Sequence, residues 1–218
     1  MAKEIVILLH GILRSDLDMM PLALYLRQKG YEAHAIKYPS REKNLEDLTD
    51  YLHTQIEQYT GTDKPKINFV THSMGGLLTR YYIHHHHPEN LGKVVMIGTP
   101  NKGSESADFL MESKIFSPIF EKIYGPAGQQ LGTKHEYVTH DIDYPLGVIA
   151  GSQSINPLAP WMLADIDSGH DGIVPVENTK IDGMADHIVL PATHTFMVFS
   201  PEVIKQSAYF LDHGKFER

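Results

Sequence analysis

Cysteine is absent from all 218 residues, which excludes a disulfide framework, a thiolate nucleophile and cysteine-ligated metal, while leaving the compartment open. Basic side chains are also scarce. Nineteen lysines and arginines face 27 acidic residues, for a formal net charge of −8, a balance that argues against nucleic acid or an anionic membrane as the main partner. No apolar run approaches the roughly 20 residues of a membrane-spanning helix. The apolar start, Glu4 to His10, is interrupted by His10 and Arg14 and has no small-residue cleavage site. It reads as a first strand rather than a signal peptide, and a cytoplasmic protein is the expectation. No repeat or low-complexity tract is present. The length suits one domain, 1–218, with a substantial core.

What is present alternates. Apolar runs at Glu4–His10, Lys66–Thr71, Lys93–Gly98 and Leu146–Ala150 predict strands buried on both faces, with Glu32–Tyr38 and His187–Leu190 as further strands. Between them, helical spacing appears at Met20–Lys29 (Leu22, Leu26), Leu45–Tyr59 (Leu45, Leu48, Leu52, Ile56) and Gly75–His87, with a last helix at Pro201–His213. Such alternation predicts an α/β fold, a doubly wound and mostly parallel sheet of about six strands. Its ligands bind beyond the carboxyl ends of the strands.

The strand at residues 66–71 runs directly into Thr-His-Ser-Met-Gly-Gly, with a helix at once after it. A serine on so sharp a turn is strained and projects at the sheet's edge, where the next amide can help bind an oxyanion. Gly75 is expected because a Cβ there would obstruct the packing of helix on strand. The first strand ends in His10-Gly11-Ile12-Leu13, a turn where the Ile12 N–H can face the same space as the Met74 N–H. His10 is expected to order that turn by hydrogen bonding. Further on, His170-Asp171-Gly172-Ile173-Val174-Pro175 puts an acid on a tight turn, and the last strand leads through Pro191-Ala192-Thr193 to His194.

These pieces, with Gly98-Thr99-Pro100-Asn101-Lys102-Gly103-Ser104, resemble the α/β-hydrolase superfamily in its lipase/esterase branch; the last phrase is also similar to GPI-inositol-deacylase-like proteins. The resemblance spans nearly the whole chain. It departs at Thr71, where the family usually has glycine two residues before the nucleophile. The resemblance implies Ser73 as nucleophile, His194 as base, Asp171 as acid and an oxyanion hole from Ile12 and Met74. It also implies a serine esterase or lipase that forms an acyl-serine intermediate without a cofactor. Asp141, Asp143, Asp165 and Asp167 are rivals for the acid, and His10, His170 and His187 for the base.

Residues 102–144 exceed a normal connection and carry dense apolar groups, including Phe109, Phe116, Phe120 and Tyr124. They are read as a small helical cap lining an acyl pocket, with Phe116 and Phe120 against substrate; the alternative is a connecting helix docked on the sheet. Trp161, the single tryptophan, is either a third substrate contact or a packing residue. His84 to His87 end a helix, where imidazolium character offsets the dipole, and no metal is assigned to them. The expected substrate is a small-molecule or lipid ester. Thioesterase, lipid deacylase and acyltransferase activities share the same chemistry, and a lipid-binding protein without catalysis is the rival from another class.

Overall fold

A computed structural model of the chain describes residues 3–61, 64–113, 117–135, 142–164 and 167–218. Strand β1 (Ile5–Leu9) is followed by helix α1 (Met20–Gln28) and β2 (Glu32–Ile36). Helix α2 (Leu45–Thr60) leads to β3 (Ile67–His72), α3 (Met74–His86) and β4 (Leu91–Ile97). Helices α4 (Glu105–Glu112) and α5 (Ser117–Gln129) precede β5 (Leu146–Gly151). Short helices α6 (Ala159–Met162) and α7 (Val176–Thr179), strand β6 (Asp186–Leu190) and helix α8 (Pro201–His213) complete the order.

All six strands pair in parallel in the order β2-β1-β3-β4-β5-β6. This is the α/β-hydrolase architecture without leading antiparallel strands among the described residues. Successive residues of a strand point to opposite faces, so an apolar run covered on both sides must feed two cores. Ile5, Ile7 and Leu9 join Phe69, Val94 and Met96 under Leu48 and Leu52 of α2 and Leu77 and Leu78 of α3. Val6 and Leu8 join Val70, Val95 and Ile149 under Leu22 and Leu26 of α1 and Val203 and Phe210 of α8.

The winding reverses beside β1. Helix α1 links β1 to β2 over one face, and α2 links β2 to β3 over the other. The carboxyl ends of β1 and β3 therefore flank the switch point where ligands of such sheets bind. Their register is tight: Leu9 pairs with Thr71, which pairs with Met96. Thr71 fits this crowded row because it is fully buried and its hydroxyl donates to the Val95 carbonyl at 3.3 Å. Strand β2 stops two residues short of the expected Tyr38. That residue instead turns its buried hydroxyl to the His10 carbonyl and stacks on the His10 ring at 4.2 Å.

Helix boundaries follow local chemistry. Asn44 caps α2, its side chain accepting the Asp47 N–H at 2.7 Å. The expected cap segment holds α4 and α5, and α5 is broken at Gly125 (φ 65°) before Pro126, which has no N–H to continue the ladder. Phe116 lies outside the described residues. Among the described residues no helix is long and apolar enough to cross a membrane.

Gly75 is where α3 meets β1. A Cβ on it would lie 2.7 Å from the Leu9 carbonyl oxygen and 2.8 Å from that of His10. Both are backbone atoms, at the end of β1 and just beyond it, and cannot swing aside. Gly75→Ala would favour the helix by about 1 kcal/mol on propensity alone. The clash should outweigh that gain, so urea unfolding of Gly75→Ala is expected to show a net loss of stability; a stabilised variant would refute the close-packing argument.

Candidate active site

Ser73 occupies the junction of β3 and α3 with φ 53° and ψ −124°. A positive φ is costly for a residue with a Cβ. Three hydrogen bonds hold the turn: the Ser73 N–H to Ile97 O (2.9 Å), the Thr99 hydroxyl to Ser73 O (3.1 Å) and the Gly76 N–H to Ser73 O (3.0 Å). Gly76 is demanded by the same contact, since a Cβ there would collide with the Thr99 side chain.

Three side chains distant in sequence meet at this turn. His194 Nε2 lies 3.0 Å from Ser73 Oγ, and its Nδ1 lies 2.7 Å from Asp171 Oδ2. The Asp171 side chain is wholly buried. Its other oxygen, Oδ1, accepts the backbone N–H groups of Ile173 (3.0 Å) and Val174 (2.7 Å), which the tight Asp-Gly turn brings round. The His194 N–H also donates to the Asp171 carbonyl at 2.9 Å. A hydroxyl, an imidazole and a carboxylate in this series can pass the hydroxyl proton to the imidazole while the carboxylate supports the charge that forms.

The rivals stand elsewhere. Asp143 and Asp167 are exposed, and Asp141 and Asp165 lie outside the described residues. His170 accepts the Gly172 N–H through Nδ1 at 3.1 Å, and His187 pairs with the Thr179 hydroxyl at 3.0 Å. His84 to His86 finish α3, and among the described residues no three or more His, Cys, Asp or Glu side chains converge as a metal site.

His10 is buried, and its Nδ1 sits 2.8 Å from the Gly11 carbonyl, to which it donates. Because a peptide's C=O and N–H point in opposite directions, this bond also orients the Ile12 N–H of the same peptide. Met74 opens α3, so its N–H is one of the first-turn donors without a partner inside the helix. Ile12 lines the cavity in front of Ser73.

That cavity measures about 200 Å³ and is walled chiefly by Ile12, Leu110, Phe120, Tyr124, Leu131 and Met162, with Ser73 and His194 at one side. Phe120 is buried and stacks on Tyr124 at 4.4 Å between centroids. Trp161 corrects the sequence expectation on both readings. It is 68% exposed and neither packs in a core nor lines the cavity; Met162, one residue on, turns inward instead. Sequence reasoning passed over His72 and Arg14, which line the cavity beside Ser73. A histidine closing a fully buried strand, directly before the serine, was the available signal for the first.

Comparison with known proteins bears on the same scaffold. Residues 5–142 match the palmitoyl protein thioesterase family. The chain belongs to that family. It is 43% identical over 67 residues to a triacylglycerol lipase of Pseudarthrobacter phenanthrenivorans, covering 31% of this chain and 20% of that one. With triacylglycerol lipase 2 of Saccharomyces cerevisiae it shares 32% identity over 94 residues, 40% of this chain and 29% of the other. The chain spans less than a third of the length of these curated relatives. The mature Bacillus licheniformis lipase BlEst2 superposes with a TM-score of 0.64 at 21% identity, covering 93% of this chain and 92% of that one. This likeness shows the α/β-hydrolase fold.

Burial sets the charge state of two histidines at the site. Desolvation holds the pKa of His72 well below the ordinary value of 6.5, with the adjoining His194 adding to the effect, and it lowers that of His10. The His72 ring is therefore neutral when folded, and that of His10 gives up its proton more readily than in the unfolded chain, which takes up both protons near 6.5. The unfolded state then binds more protons, so stability falls as pH drops through and below that value. Urea unfolding between about pH 8 and about pH 5 should show this decline, and His72→Gln should flatten it. A wild-type curve that stays level or rises towards acid would contradict the neutral assignment.

Proposed function

We propose that this protein is a serine hydrolase cleaving carboxylic esters through an acyl-serine intermediate. The observation that carries the reading is the unbroken hydrogen-bond series Ser73–His194–Asp171 beside an apolar cavity. In this mechanism Ser73 Oγ attacks the ester carbonyl carbon as its proton passes to His194 Nε2. Asp171 keeps Nδ1 protonated and supports the imidazolium. The N–H groups of Ile12 and Met74 receive the negative charge on the carbonyl oxygen, a contribution worth roughly 100- to 1,000-fold in rate per donor. Collapse of the adduct breaks the bond to the alkoxide, which takes the His194 proton. Water then repeats the sequence on the acyl-serine and releases the acid.

The cavity wall favours an apolar acyl chain, and we read residues 102–144 as a cap because Leu110, Phe120 and Tyr124 supply that wall. A lipid ester fits it, as does a thioester, and the family match specifically favours the second leaving group. The chemistry differs only in the departing atom, a thiolate in place of an alkoxide.

A panel of p-nitrophenyl esters from acetate to palmitate, with matching acyl thioesters, tests the reading. Each methylene buried should raise kcat/KM about fourfold until the cavity is filled, from about 0.8 kcal/mol per buried CH₂. Thioesters turned over faster than oxyesters of equal acyl length would make thioester hydrolysis the main activity. No turnover of either series, with apolar acids still bound, would favour a binding protein.

A further inference from the structure

His72 and Arg14 take no part in the proton relay, yet both end on the backbone that carries His194. His72 is 3% exposed, and its Nε2 lies 3.0 Å from the His194 carbonyl oxygen. A carbonyl only accepts, so Nε2 bears the proton. The two rings sit 4.9 Å apart between centroids. One residue further, Arg14 Nη2 donates to the Thr195 carbonyl at 2.9 Å, while its Nη1 leans on Asp18 at 3.4 Å.

These bonds matter because of where His194 sits. Residues 191–196 lie between β6 and the short helical turn at 197–199; backbone N–H groups hold the carbonyls of Ala192 and Thr193, whereas those of His194 and Thr195 accept from side chains. The ring bonds to Asp171 and Ser73 fix the imidazole's rotation, but not the backbone from which it hangs. Three contacts hold the His194 and Thr195 backbone itself, from different sides: Asp171 O on the His194 N–H, His72 on the His194 carbonyl and Arg14 on the Thr195 carbonyl. The elbow strand and the oxyanion turn thus each send one side chain across to the base loop.

We propose that His72 is a positioning residue: its Nε2–H, assisted by Arg14, pins the His194–Thr195 backbone so that the imidazole stays within reach of the Ser73 hydroxyl. The proposal rests on the hydrolase reading. A neutral ring suits the task, because a second positive charge at this spacing would oppose the imidazolium that forms on His194. A bland packing role would need only the ring's volume, whereas the positioning role needs a donor.

The test compares kcat, KM and thermal midpoint on p-nitrophenyl butyrate for the wild type, His72→Leu, His72→Gln, Arg14→Met and Ser73→Ala. Leu fills space without donating; Gln carries an amide nitrogen able to reach the same carbonyl. His72→Leu should lose about 100-fold in kcat, the scale of a misplacement of about 1 Å, with KM little changed. His72→Gln should recover most of that loss. Arg14→Met, at a partly exposed position, should stay folded and lose several-fold in kcat, which keeps the idea open to test if the Leu variant does not fold. Gln no better than Leu at equal thermal midpoint, or wild-type kcat in His72→Leu or Arg14→Met, would overturn it. Wild-type protein no faster than Ser73→Ala would overturn the hydrolase reading itself, and the positioning role with it.

Discussion

A serine held at φ 53° sits about 1–3 kcal/mol above a relaxed backbone, so the fold must hold it there. Much of the surrounding architecture follows from that constraint. The turn is closed by hydrogen bonds to Ile97 and Thr99 at the end of β4, and it can form only because α3 lies against β1 with no side chain between them. Gly75 is the local expression of that approach, and Gly76 leaves room for the Thr99 side chain that closes the turn. The same closeness sets the turn at Gly11 and Ile12 beside the serine, where His10 and Tyr38 hold the β1 terminus.

Electrostatics add a second demand. Burying the Asp171 carboxylate without partners would cost several kcal/mol. Two backbone N–H groups on one oxygen and an imidazole N–H on the other offset that cost, and the arrangement also defines which nitrogen of His194 faces the serine. An exposed acid such as Asp167 incurs no such desolvation cost but orients nothing at this turn. The tight turn is therefore as important as the acid it carries.

Much of this was legible in the order of residues. Strands apolar on both faces announced a parallel sheet, and the terminal helix was bounded correctly at Pro201 and His213 because proline and Gly214 mark its ends. Ser73, Asp171 and His194 stood out because each lies on a turn after a strand or beside glycine, where local rules are strict. His72 and Arg14 were not legible as partners of the base loop. They bind main-chain carbonyls, which every residue possesses, so no motif marks the other half of the pair. Trp161 misled for a different reason. A large aromatic residue suggests burial, but its place on the four-residue helix α6 directs Met162, not the indole, towards the cavity.

The central claim is that the strained serine is a reactive nucleophile because His194 can take its proton. Covalent labelling with a fluorophosphonate, read by intact mass and peptide mapping, tests this most directly. The account predicts one adduct per chain, located on Ser73, and labelling that becomes far slower in His194→Ala. A protein that stays unlabelled, or one that reacts at the same rate without the imidazole, would contradict it.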